Sequence, residues 1–476
     1  MDPSTTTISD SPAFDSKQSR KLVSNALGGE IMSDINSDHT PLPHEADETG
    51  RPQAPRLLMQ RVDDPDLARA RAQLVDDLEN GADGLALVFA GAPNAFGYGL
   101  PSDIEGLRAA LKDVPLQDVH LRIDVHPQSR ASIDWLAELL QEKQVNPAGI
   151  HLSFGFDPAA LFAGTGQLRM SLEALEASLP QSLGGFFALS LPGVLLESDG
   201  RVYHNAGATV AQELGIMLAS AASHLKMFEE ARQPLVYATP HLGFAVSVDQ
   251  DLLASTAKLR ALRLLWAKML SDYGIEPAPV AVHAETSYRM LSARDPQTNI
   301  LRTSVASLAA MLGGANSISI LPHTVPHGLP DAEARRIARN TSLVQELESG
   351  AHDLISASTD VVDQMIDRFC EGAWEEFRRI QSEGGILHSI AAGTVQARIA
   401  ESRHIAVRQL AEGDRELVGT SIFPLEGGSK LNTLPATAPQ VTLEPAVTCE
   451  KLLPHRMEEL LDDSASASTP PVPTAP

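Results

Sequence analysis

The chain has 476 residues, of which 43% are hydrophobic, so it can bury a large core. Its formal net charge of −24 argues against nucleic acid as a main partner, because a phosphate-binding surface needs concentrated Lys and Arg. No apolar run reaches the ~18 residues that a membrane span requires. The two cysteines, Cys370 and Cys449, lie far apart and indicate a reducing compartment, so we predict a soluble, cytoplasmic protein without a membrane partner.

The two ends of the chain differ in composition from its middle. Residues 1–55 are rich in Ser, Thr, Asp and Pro and predict a disordered N-terminal extension, because they bury too little apolar surface to offset their ordering entropy. Residues 426–476 have the Gly, Thr, Pro and Ala content of a linker, interrupted by one helical pattern at 452–462. The ordered domain is therefore predicted at 56–425.

Strand and helix patterns alternate through the first three quarters of that domain. Buried-strand patterns are found at 56–62, 84–91, 119–125, 149–154, 185–191, 235–239, 280–283 and 318–321. Helical patterns separate most of them, at 65–80, 104–112, 132–143, 208–228, 252–270 and 298–312. Alternation of this kind predicts an α/β fold with a parallel sheet, either a closed (β/α)8 barrel of the TIM type or a doubly wound open sheet.

Two further helical patterns follow the last predicted strand and its helix. Residues 362–382 are strongly amphipathic, and more helical pattern covers about 386–412. We therefore predict C-terminal helices that pack on the sheet domain, before the linker-like tail begins.

The stretch 281–350 carries the strongest resemblance to a known family. It contains DPQTNILRTSVASLAAMLGGANSISI, then GLPDAEARRIARNTSLVQELESG, in which RIARNT (336–341) is the most specific run. These sequences resemble the barrel domain of the methylmalonyl-CoA mutases, which are adenosylcobalamin-dependent acyl-CoA mutases. DLENGADGLALVF, at the second predicted strand, is also similar to that family. The resemblance favours the closed barrel, whose functional face lies at the C-terminal ends of the strands.

The cobalamin domain of this family carries a D-x-H-x-x-G motif, whose histidine ligates cobalt. The 476 residues do not contain it: Asp124-Val125-His126 begins correctly, but Ser129 stands where the glycine should be. The resemblance therefore implies that adenosylcobalamin is held by a partner chain, and it indicates no cofactor-binding or metal-binding residue in this one.

His204 is the candidate catalytic residue that the resemblance implies. It lies in RVYHNAGATVAQELG, which resembles the family segment whose histidine bonds the carbonyl of the substrate. A histidine there would stabilise charge that develops on that oxygen. The segment is two residues shorter than in catalytic subunits, so the alternative is an ordinary histidine at a strand end.

His283, Glu285 and Ser287 are the candidate substrate-binding residues. Their segment, VAVHAETSYRM, aligns with the family pattern L-R-T-H-C-Q-T-S-G. Ala281 replaces the arginine that would hold an anionic group by charge-assisted bonds, and Tyr288 replaces the glycine. Glu285 replaces the glutamine and adds repulsion, so the site is expected to be degenerate.

Other segments are closer to the small, non-catalytic subunit of heterodimeric methylmalonyl-CoA mutase, among them TSYRMLSARDP and AWEEFRRIQSEGG. The resemblance therefore implies a small subunit that pairs with a catalytic large subunit and contributes assembly and stability. Two alternatives stay open. The chain could be the acyl-CoA-binding barrel of a split mutase, completed by a separate cobalamin-binding chain, or a stand-alone scaffold or regulatory barrel.

Overall fold

The computed structural model describes residues 56–351, 359–425, 431–437 and 444–461, together with residues 14, 15 and 18. Most of the predicted N-terminal extension and parts of the predicted tail lie outside these residues, so the proposed domain boundaries stay predictions. Within the described part of the chain, every helix is too short or too polar to cross a bilayer.

Eight parallel strands form a closed barrel. They are β1 (Leu57–Val62), β2 (Gly84–Leu87), β3 (His120–Ile123), β4 (His151–Phe156), β5 (Val194–Asp199), β6 (Leu242–Val248), β7 (Ala281–Thr286) and β8 (Ser317–Ser319). The barrel closes where β8 pairs with β1, with Ser317 opposite Leu57 and Ile318 opposite Leu58. This pairing confirms the predicted TIM-type barrel and excludes the open sheet.

Fourteen helices in the described part of the chain surround or cap the barrel. They are α1 (Leu67–Glu79), α2 (Ile104–Ala110), α3 (Ser129–Glu142), α4 (Pro158–Thr165), α5 (Leu172–Ala188), α6 (Arg201–Asn205), α7 (Val210–Glu230), α8 (Leu235–Ala238), α9 (Leu252–Asp272), α10 (Thr298–Leu312), α11 (Ala332–Leu347), α12 (Asp360–Ser382), α13 (Ile386–Ala391) and α14 (Thr394–Glu412). Helix α12 packs across α7 and α9 and so forms a second layer outside the barrel.

Local sequence signals set where the long helices begin. The side chain of Asp251 accepts a hydrogen bond from the amide of Ala254 at the start of α9, and Thr209 and Gln212 form a capping box at the start of α7. The six predicted helices that separate strands, and the two C-terminal ones, are confirmed with boundaries within a few residues. Helices α4, α5, α6 and α8 were not predicted.

Two of the eight predicted strands are wrong. The segment 185–191 contains the end of α5, and the strand begins only at Val194. Phe186 there packs edge-on against Phe154 of β4, with ring centroids 5.1 Å apart. An apolar run that covers a sheet as a buried helix cannot be told from a buried strand by periodicity alone.

The second wrong strand is 235–239, which forms the short helix α8 and a turn before β6 begins at Leu242. Val236 and Tyr237 are 60% and 72% exposed, so the apolar run that suggested a buried strand lies on the surface. Within the predicted tail helix 452–462, residues 457–461 are helical and 452–456 are not, while 462 lies outside the described residues. Pro454 contributes to the late start, because it disfavours helical conformation at Leu453.

Candidate functional site

Charged side chains from alternate strands point into the barrel and meet near its axis. Arg61 comes from β1, Arg122 from β3, Glu197 from β5 and Glu285 from β7. Successive residues of a strand face opposite sides, so each of these lies between two residues that face the helices. The centre of the barrel is therefore ionic, inside an outer layer that is mainly apolar.

The first half of this ionic network joins β3, β5 and α6. Arg122 donates to both carboxylate oxygens of Glu197, at 2.7 and 2.5 Å, and to Asp124 at 2.8 Å. Arg201, which follows β5, donates to both oxygens of Asp124 at 3.0 and 3.1 Å. Bidentate pairs of this kind fix the planes of both groups and are among the strongest hydrogen bonds in proteins.

The second half joins α6 to β1 and β7. Arg201 also donates to Asp199 at 3.0 and 2.8 Å, and its guanidinium lies 3.4 Å from Glu285. Arg61 lies 3.5 Å from the same Glu285 oxygen and donates to Asp63 at 2.6 Å. Three guanidinium groups and five carboxylates thus bond one another in the barrel centre, and all eight are buried.

Within the network, the pKa values of Asp124 and Glu285 are shifted in opposite directions. Burial by itself would raise the pKa of Asp124, but Arg201 and Arg122 hold it well below its ordinary value. For Glu285, burial raises the pKa and outweighs the opposing effect of Arg201 and Arg61. Asp124 is therefore a fixed anion, whereas Glu285 retains a proton more readily than an exposed glutamate does.

His204 and Ser287 are brought together at the C-terminal ends of β5 and β7. The Nε2 atom of His204 lies 2.9 Å from the hydroxyl of Ser287, and its Nδ1 atom lies 3.1 Å from Glu213. Lys258 donates to the same Glu213 oxygen at 2.8 Å. Both ring nitrogens are thus bonded within the chain, and His204 is only 2% exposed.

Burial, Arg289 and Lys258 lower the pKa of His204 to about 4, although Glu213 opposes them. At neutral pH the imidazole is therefore uncharged. The neutral imidazole bonds both Glu213 and Ser287, and so links α6, which follows β5, to the segment after β7.

His283 lies apart from this group, on β7, where its Nδ1 atom is 2.8 Å from the hydroxyl of Ser317. Its Nε2 atom is buried and has no hydrogen-bond partner in the described part of the chain. Burial, Arg122 and Arg201 lower its pKa well below the ordinary value. Of the four predicted site residues, His204 and Ser287 are therefore in contact, Glu285 belongs to the ionic network, and His283 bonds only to the neighbouring strand.

The C-terminal opening of the barrel, which we call the mouth, lies between the loops 92–100 and 287–294. Two aromatic rings close it: Phe96 stacks on Tyr288 with centroids 4.4 Å apart and planes 11° from parallel. The guanidinium of Arg61 lies 5.1 Å from the Phe96 ring on its inner side. Tyr288, where the family pattern has glycine, thus contributes directly to closing this face.

A cavity of about 650 Å³ lies at the opposite, N-terminal end of the barrel. Its lining includes the carboxylates of Glu79, Asp83, Asp113 and Asp118. No Lys or Arg is among the described residues that line it. Such a cavity disfavours a polyanionic ligand. Across the described residues, no group of three or more His, Cys, Asp or Glu side chains is arranged to hold a metal ion.

The predicted site residues reveal only part of the network, because Arg61, Arg122, Glu197 and Arg201 were not singled out. A signal for them is present in the sequence. Strands β1 and β3 both end in R-x-D, and β5 continues as E-x-D-x-R. Charged residues at alternate positions of otherwise apolar strands indicate an ionic barrel interior.

Lowering the pH from 7 to 5 is expected to reduce the free energy of unfolding by more than about 2 kcal/mol. Burial lowers the pKa of His204 to about 4 and those of His126 and His224 to about 3. These histidines take up protons near pH 6.5 only after unfolding, so stability is lost as the pH falls toward 4. Asp157, whose pKa burial raises to about 7, acts in the opposite direction but is a single group. Urea denaturation at pH 5, 6 and 7 measures this, and a flat or rising profile would contradict it.

Comparison with known proteins finds a family model and relatives that share one name. Residues 96–461 match the family described as methylmalonyl-CoA mutase. The chain is 34% identical over 383 residues to the methylmalonyl-CoA mutase small subunit of Streptomyces virginiae, covering 80% of this chain and 60% of that protein. It is 28% identical to the small subunit of Propionibacterium freudenreichii subsp. shermanii, covering 86% of this chain and 62% of that one.

A large subunit is also similar to this chain, but over a shorter region. The methylmalonyl-CoA mutase large subunit of Streptomyces virginiae is 29% identical over 270 residues, which is 55% of this chain and 36% of that protein. The chain thus spans about 60% of the length of the two small subunits named above.

Proposed function

Because this chain belongs to the methylmalonyl-CoA mutase family, a family of isomerases, we propose that it is the small subunit of such a mutase. In this proposal a catalytic large subunit interconverts methylmalonyl-CoA and succinyl-CoA in the cytoplasm. The present chain pairs with it as a heterodimer and contributes assembly and stability.

The observation that carries this proposal is the filled centre of the barrel. An acyl group that reached the axis would have to displace Arg61, Arg122 or Arg201, each of which is bonded to buried carboxylates. Removing one member of such a network leaves uncompensated buried charge, at a cost of several kcal/mol. The filled centre supports a structural role for this barrel and disfavours the alternative in which it binds acyl-CoA itself.

Adenosylcobalamin, which the family implies, does not fit the residues present at the mouth. A corrin ring would need an open C-terminal face, whereas Phe96 and Tyr288 are stacked there over Arg61. The acidic cavity at the other end of the barrel is equally unsuited to the phosphates of coenzyme A. Both features support a cofactor and a substrate that are bound by the partner chain.

Co-expression with a catalytic large subunit tests this proposal. We expect the two chains to co-elute from size exclusion as a 1:1 heterodimer. We also expect the isolated small chain to give no heat of binding with methylmalonyl-CoA or succinyl-CoA in calorimetry. Saturable binding of an acyl-CoA to the isolated chain would favour the split-mutase alternative, and a chain that stays alone beside the large subunit would favour the scaffold alternative.

A further inference from the structure

Residues 444–461 cross the C-terminal face of the barrel and are attached to the connections that follow β4, β5 and β7. Val447–Thr448 pairs antiparallel with Gln167–Leu168, beyond β4. The amide of Leu452 donates to the carbonyl of Ala163 at 2.8 Å. Further along, the amide of His455 donates to Asn205, after β5, also at 2.8 Å. The segment therefore follows the rim of the mouth.

Its last attachment is made by Glu458 to the loop after β7. The Glu458 carboxylate accepts hydrogen bonds from the hydroxyl of Ser292 at 2.6 Å and from the amide of Ala293 at 2.7 Å. Glu458 is only 4% exposed, which is unusual for a glutamate on a terminal segment. The 287–294 loop thus supplies the hydroxyl and backbone N–H groups that donate hydrogen bonds to the Glu458 carboxylate.

The segment also completes a column of side chains that fills the mouth. Arg456 lies near Tyr288 and opposes the rise in the pKa of Tyr288 that burial causes, the Tyr288 ring stacks on Phe96, and Phe96 lies over Arg61 in the ionic centre. Phe96 has a backbone φ of 49°, a left-handed conformation that costs free energy for a bulky residue. Its surroundings must therefore hold it in place, and Tyr288 with Arg456 forms one side of them.

We propose that residues 444–461, the latch, hold the mouth of the barrel closed as an intramolecular substitute for a ligand. The C-terminal face is where barrel enzymes bind their substrates and cofactors. Here the same face is covered by a segment with one residue, Leu452, in the main hydrophobic core and another, Glu458, bonded to the mouth loop. The proposal does not depend on which partner the chain has.

Two leucines that are adjacent in the latch provide a matched pair of variants. Leu452 is 5% exposed and packs in the main core, whereas Leu453 is 49% exposed. In hydrogen–deuterium exchange of the full chain, Leu452→Ala is expected to speed exchange at least tenfold in peptides from 444–461. Leu452→Ala should also speed exchange at least tenfold in the mouth loops 92–100 and 287–294. Strands β2 and β3 should exchange as slowly as in the parent chain. Leu453→Ala should leave all of these peptides within twofold of the parent chain.

Faster exchange in 444–461 with unchanged mouth loops would overturn the proposal, because the segment would then merely lie on the surface. Unchanged exchange everywhere would overturn it as well. If Leu452→Ala unfolds the whole chain, Glu458→Gln decides instead, with exposed Glu450→Gln as its control. Loss of protection in both the latch and the mouth loops for Glu458→Gln alone supports the latch, and protected mouth loops refute it.

Discussion

Replacing Arg201 with methionine is expected to lower the free energy of unfolding by about 3–5 kcal/mol, or to prevent folding altogether. Arg201 is fully buried and donates to both Asp124 and Asp199, with Glu285 at 3.4 Å. Methionine fills a similar volume but takes from Asp199 the guanidinium that it bonds, and leaves Asp124 and Glu285 with one guanidinium each, in a medium that solvates carboxylates poorly. Because a domain is stable by only about 5–15 kcal/mol, the loss is a large share of the total.

Arg336→Met is the matched control, because Arg336 is exposed and its ion pair within the described residues is with Glu333 on the same helix. Exposed pairs contribute little, so no measurable change is expected there. Urea denaturation at pH 7, followed by circular dichroism, measures both variants. A loss for Arg201→Met that is as small as that for Arg336→Met would mean that the ionic centre does not hold the barrel together.

Replacing Lys258 with methionine is expected to cost about 3 kcal/mol at pH 8 and clearly less at pH 5.5. The Lys258 ammonium is buried and is the only full positive charge described beside the carboxylate of Glu213 at neutral pH, where His204 is uncharged. Without it, the pKa of His204 should rise, because Lys258 is one of the groups that lower it. Below its new pKa the His204 imidazole is protonated in the folded variant and restores part of the lost charge beside Glu213, so the deficit relative to the parent chain shrinks as the pH falls through that pKa.

Lys226→Met provides the control for this second variant, since Lys226 is 66% exposed and pairs with Glu230 one helical turn away. It should behave like the parent chain at both pH values. Urea denaturation at pH 5.5 and pH 8 gives the two differences. An equal deficit for Lys258→Met at both pH values would show that His204 does not respond to the loss of the ammonium.

The fold was largely accessible from the sequence because each βα unit has its own periodic signal. The alternation of strand and helix patterns, the N-cap of α9 at Asp251 and the amphipathic face of α12 can each be recognised within a short stretch of sequence. The strands predicted at 185–191 and 235–239 are wrong for a physical reason. An apolar run can cover a sheet as a helix or, near a proline, end as a short exposed helix, and composition does not distinguish these outcomes from a strand.

The candidate site was accessible only in part. Resemblance drew attention to His204, His283, Glu285 and Ser287, but it could not show that the ring nitrogens of His204 are both bonded within the chain. The ionic centre joins residues far apart in sequence, such as Arg122 with Glu197 and Arg61 with Glu285. Their charges are visible in the strands, but their pairing depends on the closed barrel and its register.

The proposed function is that this barrel supports a mutase without performing its chemistry. The most direct test is the mutase activity, with adenosylcobalamin, of a co-expressed heterodimer that carries both His204→Gln and His283→Gln in the small chain. Glutamine retains hydrogen-bonding capacity, and size exclusion verifies that the heterodimer is intact. The equivalent histidine of the large subunit, replaced in the same way, is the positive control. We expect activity within twofold of the parent complex, and a loss of a hundredfold or more in an intact heterodimer would contradict the proposed function.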